Sequence, residues 1–197
     1  YYLKDSGVYQ IADKTFVAMS VFDKPKDFIR AVDVKGSYKI ALHHGAVNSA
    51  VTDIGFTLVN ENVPVELFDG YDLVLLGDIH KPAQYLNREK TIAYPGSTIQ
   101  QNHSEALDHG YLVWDTKTKQ SEFVVIENDF CYYTVDIDNG LYEPLPEKLK
   151  RKQIRLRVRV RDTDTADLKK AIAEIKSEFQ IEETSIQRIN DFKSNKN

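Results

Sequence analysis

Residues 73–82 read Leu-Val-Leu-Leu-Gly-Asp-Ile-His-Lys-Pro, an apolar run that ends in two potential metal ligands one residue apart. A run of large apolar residues without alternation is typical of a parallel strand that is buried on both faces, and Gly77 permits a sharp turn where this strand ends. Open α/β sheets bind ligands outside the carboxyl ends of their strands. The sequence therefore predicts that Asp78 and His80 lie in a functional site at the end of a buried strand.

Two further segments are predicted to bring polar groups to the same place. Residues 38–42 form a short apolar segment that leads into His43-His44-Gly45, which places two imidazoles after a strand. Downstream, Pro95-Gly96-Ser97 forms a tight turn, whose amides and hydroxyl are suited to hold a phosphate oxygen. We therefore expect three loops to offer metal ligands and phosphate donors together.

The hydrophobic pattern predicts a mixed α/β chain with a boundary near residues 128–131. Before this boundary, strands are predicted at 7–11, 15–20, 38–43, 72–77, 84–86, 91–94, 110–115 and 121–127, with a helical turn at 63–68 and no assignment for 46–62. After it, the predicted order is strand, loop, strand, helix, strand. The helix carries an apolar stripe from Leu168 to Phe179 and follows the capping candidates Asp164 and Thr165, and Thr184–Ile189 is the predicted closing strand.

Residues 154–161 alternate apolar residues with arginines, a pattern that is typical of a half-buried strand. Two interpretations of the arginine face are open. It is either a ridge that contacts nucleic-acid phosphates or a solvated face whose arginines pair across strands with Asp136 and Asp138.

Composition sets limits that agree with a folded, non-membrane protein. The chain has 197 residues, of which 42% are hydrophobic, enough for the core of one large domain or of one large and one small domain. Its single cysteine, Cys131, excludes an internal disulfide. No apolar run approaches the about 18 residues of a membrane span, and no signal peptide is found, so a cytoplasmic location without membrane partners is expected. A net charge of −4 argues against a globally basic nucleic-acid-binding surface.

Several segments resemble, in order and approximate spacing, the second catalytic half of the calcineurin-like metallophosphoesterases, and within them the DNA-repair nucleases of the SbcD type. These segments are residues 2–9, 20–23, 42–45, 77–81 and 94–97. The resemblance extends over residues 1–127 and is looser beyond them.

The resemblance implies a two-metal site with Mn²⁺ as cofactor and Mg²⁺ as a possible substitute. His43 looks like the lone metal-binding histidine of the family, and His80 looks like the last histidine of its Gly-His-x-His motif. Asp78 stands where the family usually has histidine, and a carboxylate there favours harder ions. Asp78 and His43 are implied to bind one metal and His80 the other, while His44, at a position that is often Gln, would support the site without binding metal.

The resemblance also implies DNA as substrate, because two metals can clamp the attacking and leaving oxygens of a phosphodiester displacement. Contacts to the substrate or its phosphates are expected from Pro95, Gly96, Ser97 and His103. Further DNA contacts are expected from Lys81, Arg155, Arg157 and Arg159.

Each of these residues also has a structural interpretation. A single Asp-x-His pair often serves in turns and hydrogen bonds, and His43 taken alone is compatible with a hydrogen-bonded histidine at a strand end. His103 either contacts substrate or pairs with Glu105 or Asp108. For His109, hydrogen bonding at the surface is expected.

The family's first half supplies Asp-x-His, Gly-Asp-x-x-Asp and Gly-Asn-His-Asp motifs. The last two do not occur in this sequence, and its one Asp-x-His, at Asp78 and His80, matches the family's second half. The resemblance therefore implies a fragment that begins inside the catalytic domain. Residues 1–129 would be the second half of a metallophosphoesterase β-sandwich flanked by helices. Residues 130–190 would be a small α/β capping domain that binds DNA, and residues 191–197 the start of a linker.

The implied whole enzyme is an exonuclease and endonuclease that hydrolyses phosphodiesters at DNA ends or hairpins during repair or recombination. Its expected partner is an SbcC-type coiled-coil ATPase. The chain alone is expected to be inactive, and a homodimer is expected only where the first half is present. The alternatives are a metallophosphoesterase for another phosphodiester and a non-catalytic module that binds DNA or a partner protein.

Overall fold

A computed structural model describes residues 3–189 of the chain. They form two compact units, the first made of residues 3–99 and 104–126 and the second of residues 100–103 and 127–189. The predicted linker at 191–197 and the last residue of the predicted cap, residue 190, lie outside the described residues. The nuclease and capping assignments of the two parts of the chain stay predictions.

The described chain is mixed α/β, and most of its regular structure is strand, arranged in three sheets. The first unit contains β1 (Gly7–Ile11), β2 (Lys14–Met19), β3 (Lys39–His44), β4 (Leu73–Gly77), β5 (Gln84–Tyr85), β6 (Ile92–Tyr94), β7 (His109–Asp115) and β8 (Gln120–Ile126). The second unit contains β9 (Phe130–Asp138), β10 (Gln153–Arg161), α1 (Thr165–Glu178) and β11 (Gln180–Arg188). The predicted strands and the predicted helix are confirmed within a few residues at each end.

The helices expected to flank the first-unit sheet are not found in the described part of that unit. Its helical segments there are short 3₁₀ helices at Pro25–Asp27, Ala31–Asp33 and Val65–Phe68. The long connection between β3 and β4 is rich in turn formers, and the side chain of Asn48 accepts a hydrogen bond from the Asn60 amide. Such local side-chain bonds compete with helix formation.

The six-stranded sheet of the first unit has the order β1-β2-β3-β4-β6-β5. Strands β2, β3, β4 and β6 run parallel, and β1 and β5 are antiparallel edge strands. β4 lies inside this sheet, and Leu73 and Val74 are 1% exposed, which confirms the prediction of a buried parallel strand. His44 pairs with Gly77, so the carboxyl ends of β3 and β4 are neighbours at one edge of the sheet.

The hydrophobic core of the first unit covers one face of this sheet. Strand residues Val17, Ala41, Val74 and Leu76 pack there with residues of the connections that follow β2 and β3, including Phe28, Val47 and Phe68. A separate antiparallel hairpin, β7 with β8, completes the unit. Within residues 3–189, no helix has the length and hydrophobicity that a membrane span requires.

The second unit is a three-stranded parallel sheet of order β11-β10-β9, and α1 connects its last two strands. The apolar residues of β10 are buried and its arginines lie on the other face, as the alternating pattern predicts. Asp164 caps α1 by accepting a hydrogen bond from the Asp167 amide at 2.8 Å. β11 begins four residues before the predicted closing strand, because a register shift at Ile154/Arg155 interrupts the alternating pattern there.

Candidate metal and phosphate site

His43 is a buried residue near the carboxyl end of β3, with 7% of its surface exposed. The strand extends through His44, so both histidines belong to the strand and not to the loop after it. The His43 ring packs against Phe28 and Phe68, with ring centroids 4.9 and 6.1 Å apart. Its Nδ1 atom lies 3.4 Å from the Met19 carbonyl oxygen. Because a carbonyl only accepts, this contact favours a proton on Nδ1, and in the neutral ring Nε2 is then unprotonated.

The surroundings of His43 favour a neutral ring. Burial lowers the pKa of His43 below its usual value and the nearby His44 ring lowers it further, whereas the Met19 carbonyl and the Asp78 carboxylate raise it. Neutral imidazole is the form that binds metal ions. A Cβ atom at Gly45 would lie 2.8 Å from Nε2 of His43, so the glycine leaves the Nε2 side of the ring uncovered.

Asp78 and His80 follow β4 directly, as predicted. Asp78 is exposed and has a φ of +102°, a backbone conformation that residues other than glycine rarely adopt. Strained backbone of this kind clusters at active sites and ligand-binding loops. His80 is 35% exposed at its side chain, and its Nδ1 atom lies 3.0 Å from Oε1 of Glu105.

Glu105 and His109 form a buried polar cluster beside His80. The prediction that His109 lies at the surface is wrong, because this residue is fully buried at the start of β7. Its Nδ1 atom is 2.8 Å from Ser97 Oγ, its Nε2 atom is 2.8 Å from the Ala106 carbonyl oxygen, and Glu105 Oε2 is 3.8 Å from Nε2. No local pattern indicates that Glu105 contacts His80, since 25 positions separate the two residues.

The Pro95-Gly96-Ser97 turn packs against the segment that carries His80. Gly96 has a φ of +90°, and a Cβ atom there would lie 2.7 Å from the His80 carbonyl oxygen. The Ser97 amide donates to that same oxygen at 3.3 Å, and the Ser97 hydroxyl lies 2.9 Å from the Ile99 carbonyl oxygen. Ser97 therefore holds the turn beside His80, and the phosphate contacts expected of Pro95, Gly96 and Ser97 stay a prediction.

Tyr94 joins the end of β6 to the loop after β3. It is fully buried, and its hydroxyl donates to the Gly45 carbonyl oxygen at 2.6 Å and accepts from the Val47 amide at 2.9 Å. Burial raises the pKa of Tyr94 to about 12. This single phenol fixes the loop beside His43.

Replacing Tyr94 by phenylalanine is expected to destabilise the first unit by about 2 kcal/mol, because a buried amide and a carbonyl lose their partner. Urea unfolding followed by the fluorescence of Trp114, the only tryptophan of the chain, measures this loss. The matched control is Tyr111→Phe on β7, where the tyrosine is 43% exposed. A change of about 0.5 kcal/mol or less is expected there. Equal losses in the two variants would contradict the anchoring role.

His44 and Lys81 lie near the site without a demonstrated role. His44 is exposed at the end of β3, and a Cβ atom at Gly77 would lie 2.6 Å from its Nδ1 atom. His43 and His44 both line a cavity of about 500 Å³ at the ends of β2, β3 and β4. Lys81 is half-buried and lines a second cavity together with Glu105. The supporting role of His44 and the DNA contact of Lys81 stay predictions.

The predicted metal ligands do not form a complete set by themselves. Within residues 3–189, no three side chains of His, Cys, Asp or Glu are grouped so that they could hold a metal ion. His43, Asp78 and His80 occupy adjacent strand ends, and their assignment as ligands of Mn²⁺ stays a prediction.

The arginines of β10 are largely paired with acidic residues. Arg159 Nε lies 2.6 Å from Asp136 Oδ1, and Arg161 lies 3.9 Å from Asp138, which confirms the cross-strand pairs that the sequence left as one alternative. Arg155 pairs with Glu182 of β11 at 3.3 Å. Within the described part of the chain, Arg157 is the arginine of this strand that has no ion pair. The DNA contacts expected of Arg155, Arg157 and Arg159 stay predictions.

His103 belongs to the second unit and packs on its sheet. Its Nε2 atom lies 3.0 Å from the Arg155 carbonyl oxygen, and its ring meets Tyr132 edge-on with centroids 4.9 Å apart. Burial lowers the pKa of His103, and the Arg157 guanidinium lowers it further. These contacts give His103 a structural role, and its expected substrate contact stays a prediction.

Comparison with known proteins gives one distant relative and no family. No family model matches the chain. The chain is 38% identical over 192 residues to an uncharacterized protein of Acanthamoeba polyphaga mimivirus. The match covers 93% of the chain and 14% of the viral protein, so the chain spans a small part of the length of the curated relative it matches. This likeness assigns no activity.

Proposed function

We propose that the chain supplies part of the metal centre of a two-metal DNA nuclease of the SbcD type, with the remaining ligands supplied by protein outside this chain. One observation carries the proposal. At two adjacent strand ends, His43 and His80 each turn Nδ1 toward an oxygen acceptor, the Met19 carbonyl at 3.4 Å and the Glu105 carboxylate at 3.0 Å. Metal-binding histidines in proteins show this arrangement, which leaves Nε2 to the metal.

The donor atoms suit Mn²⁺ and, less closely, Mg²⁺. Two neutral imidazoles and the Asp78 carboxylate form a mixed nitrogen and oxygen set, which manganese accepts, whereas magnesium prefers oxygen. His43 and Asp78 would hold one ion and His80 the other. When bound, such ions supply a hydroxide near neutral pH and stabilise charge on the phosphodiester.

The residues of this chain have distinct tasks in the proposed centre. His43 presents Nε2 from a rigid, buried ring, and Gly45 keeps the space in front of it open. Asp78 carries its carboxylate on a strained and exposed turn. The Pro95-Gly96-Ser97 turn holds the backbone of His80 in place. Lys81 and Arg157 are the basic residues proposed to contact the DNA backbone, which positions a strand without reading its sequence.

Titration of the metal-free chain with Mn²⁺ tests the proposal, because a paramagnetic ion broadens the nuclear magnetic resonance signals of rings near it. The ring signals of His43 and His80 are expected to broaden at lower Mn²⁺ concentrations than those of the other histidines. His80→Ala is expected to weaken the broadening at His43. Broadening of all five histidines in parallel would contradict the proposal.

A second candidate is a non-catalytic module that binds DNA or a partner protein. It is favoured by the lack of any three grouped metal ligands within residues 3–189. Salt-sensitive DNA binding that is independent of Mn²⁺ would support the module. Stabilisation of the chain by Mn²⁺ that is lost in His80→Ala would contradict it, because metal bound only to the folded state raises stability by mass action.

A phosphoesterase for another phosphodiester is the remaining alternative within enzymes. When the chain is combined with the missing ligands, preference for duplex DNA over a small chromogenic diester would separate the two activities.

A further inference from the structure

Glu105 is a deeply buried carboxylate that meets a partly exposed histidine. Its side chain is 3% exposed, whereas that of His80 is 35% exposed, and Oε1 lies 3.0 Å from Nδ1 of His80. Burial of a carboxylate is costly unless the group is hydrogen-bonded to a partner. The contact between Glu105 and His80 is therefore not an incidental ion pair at the surface.

The contact fixes which nitrogen of His80 carries the proton. An ionised carboxylate only accepts, so Nδ1 is the donor, and in the neutral ring the lone pair then lies on Nε2. Within residues 3–189, no group is hydrogen-bonded to Nε2 of His80. The backbone of the same residue is held by the Ser97 amide at 3.3 Å, so both the position and the rotation of the ring are constrained.

Glu105 has a buried histidine beside it. His109 is fully buried, and its Nε2 atom lies 3.8 Å from Glu105 Oε2. His109 is anchored on its other side by Ser97 Oγ at 2.8 Å. Within the series Ser97, His109, Glu105 and His80, the two middle residues are buried, and His80 is partly exposed.

We propose that Glu105 is a positioning residue, which holds His80 in its Nδ1–H form and aims Nε2 at the metal position. The metal part of this inference rests on the proposed function. Loss of such an outer partner typically weakens metal binding by about 10- to 100-fold. The fixing of the ring proton is a property of the metal-free chain and can be measured without any metal.

The first experiment reads the protonated nitrogen of each histidine from long-range proton–nitrogen correlation spectra of the metal-free full chain. Wild-type His80 is expected to be protonated on Nδ1. Glu105→Met fills a similar volume without an acceptor and is expected to shift the proton toward Nε2. Glu105→Gln keeps an oxygen acceptor and is expected to restore the Nδ1 form. Glu122→Gln, an exposed glutamate on β8, is the matched control and is expected to change nothing.

The second experiment repeats the Mn²⁺ titration with the same variants. The Mn²⁺ concentration that broadens the His80 ring is expected to rise about 10-fold or more in Glu105→Met and less in Glu105→Gln. If Glu105→Met acted only by damaging the structure, Glu105→Gln would not restore both the Nδ1 proton and the Mn²⁺ broadening.

The possible results separate the two proposals. A wild-type His80 protonated on Nε2 overturns the positioning role even if no variant folds. Unchanged Mn²⁺ broadening in a folded Glu105→Met overturns it while leaving the proposed function intact. A third result is that Glu105 sets the position of the ring proton of His80, but Mn²⁺ does not selectively broaden the His43 and His80 signals of the wild type. In that case the proposed function fails, and the role of Glu105 in fixing the ring stands.

Discussion

Gly96→Ala is expected to destabilise the first unit by about 3 kcal/mol and to displace His80. Two effects add at this position. The φ of +90° is strained for any residue with a Cβ atom, and that atom would lie 2.7 Å from the His80 carbonyl oxygen and 2.9 Å from Pro82 Cα. Both are backbone atoms, which cannot rotate away as a side chain can. The segment from His80 to Pro82 must therefore move.

The matched control is Gly55→Ala in the connection between β3 and β4. Gly55 has a similar φ of +80°, and a Cβ atom there meets no heavy atom within 4 Å. This variant is expected to lose about 1 kcal/mol, the cost of backbone strain alone. Urea unfolding followed by Trp114 fluorescence measures both variants. Losses of the same size would show that the close approach of Gly96 to His80 does not contribute.

The same pair of variants links stability to the proposed centre. Gly96→Ala is expected to raise the Mn²⁺ concentration needed to broaden the His80 ring, because the turn no longer holds the backbone of that residue. Gly55→Ala lies in a different segment and is expected to leave the broadening unchanged. This separates a local effect at His80 from a general loss of stability.

The sheet positions of the candidate ligands could be predicted because they depend on local patterns. The apolar run from Leu73 to Leu76 has the composition of an interior parallel strand, and Gly77 ends it. The alternation in β10 likewise predicted which residues are buried. A pattern with a period of two fixes the face of the strand on which each side chain lies. It can therefore be interpreted without knowledge of the rest of the fold.

Contacts between distant segments could not be predicted in this way. Glu105 reaches His80 across 25 positions, and His109 is buried because the 95–97 turn and Ala106 enclose it. His109 is followed by glycine at the start of a strand. No sequence pattern at such a position shows whether the histidine ring is buried or exposed. Only the folded arrangement of the loops decides this.

The arginine face of β10 is an intermediate case. The sequence named Asp136 and Asp138 as possible partners, and the parallel register of β9 and β10 sets Arg159 opposite Asp136. The sequence does not predict Glu182 as a partner of Arg155. The register shift beside Arg155 brings the two side chains within 3.3 Å, and such a shift has no sequence pattern. Within residues 3–189, Arg157 is the arginine of this strand without an ion pair, and its expected DNA contact stays a prediction.

Leu156→Ala is expected to destabilise the second unit by about 3 kcal/mol, because it removes a side chain that is 1% exposed in the central strand of the sheet. The alternation predicts a different result for its neighbour. Arg157 lies on the opposite face and has no ion pair with the described residues 3–189, so Arg157→Ala is expected to change stability by about 0.5 kcal/mol or less. Far-ultraviolet circular dichroism during urea unfolding follows α1, which belongs to this unit. Similar losses in the two variants would contradict the one-sided burial of β10.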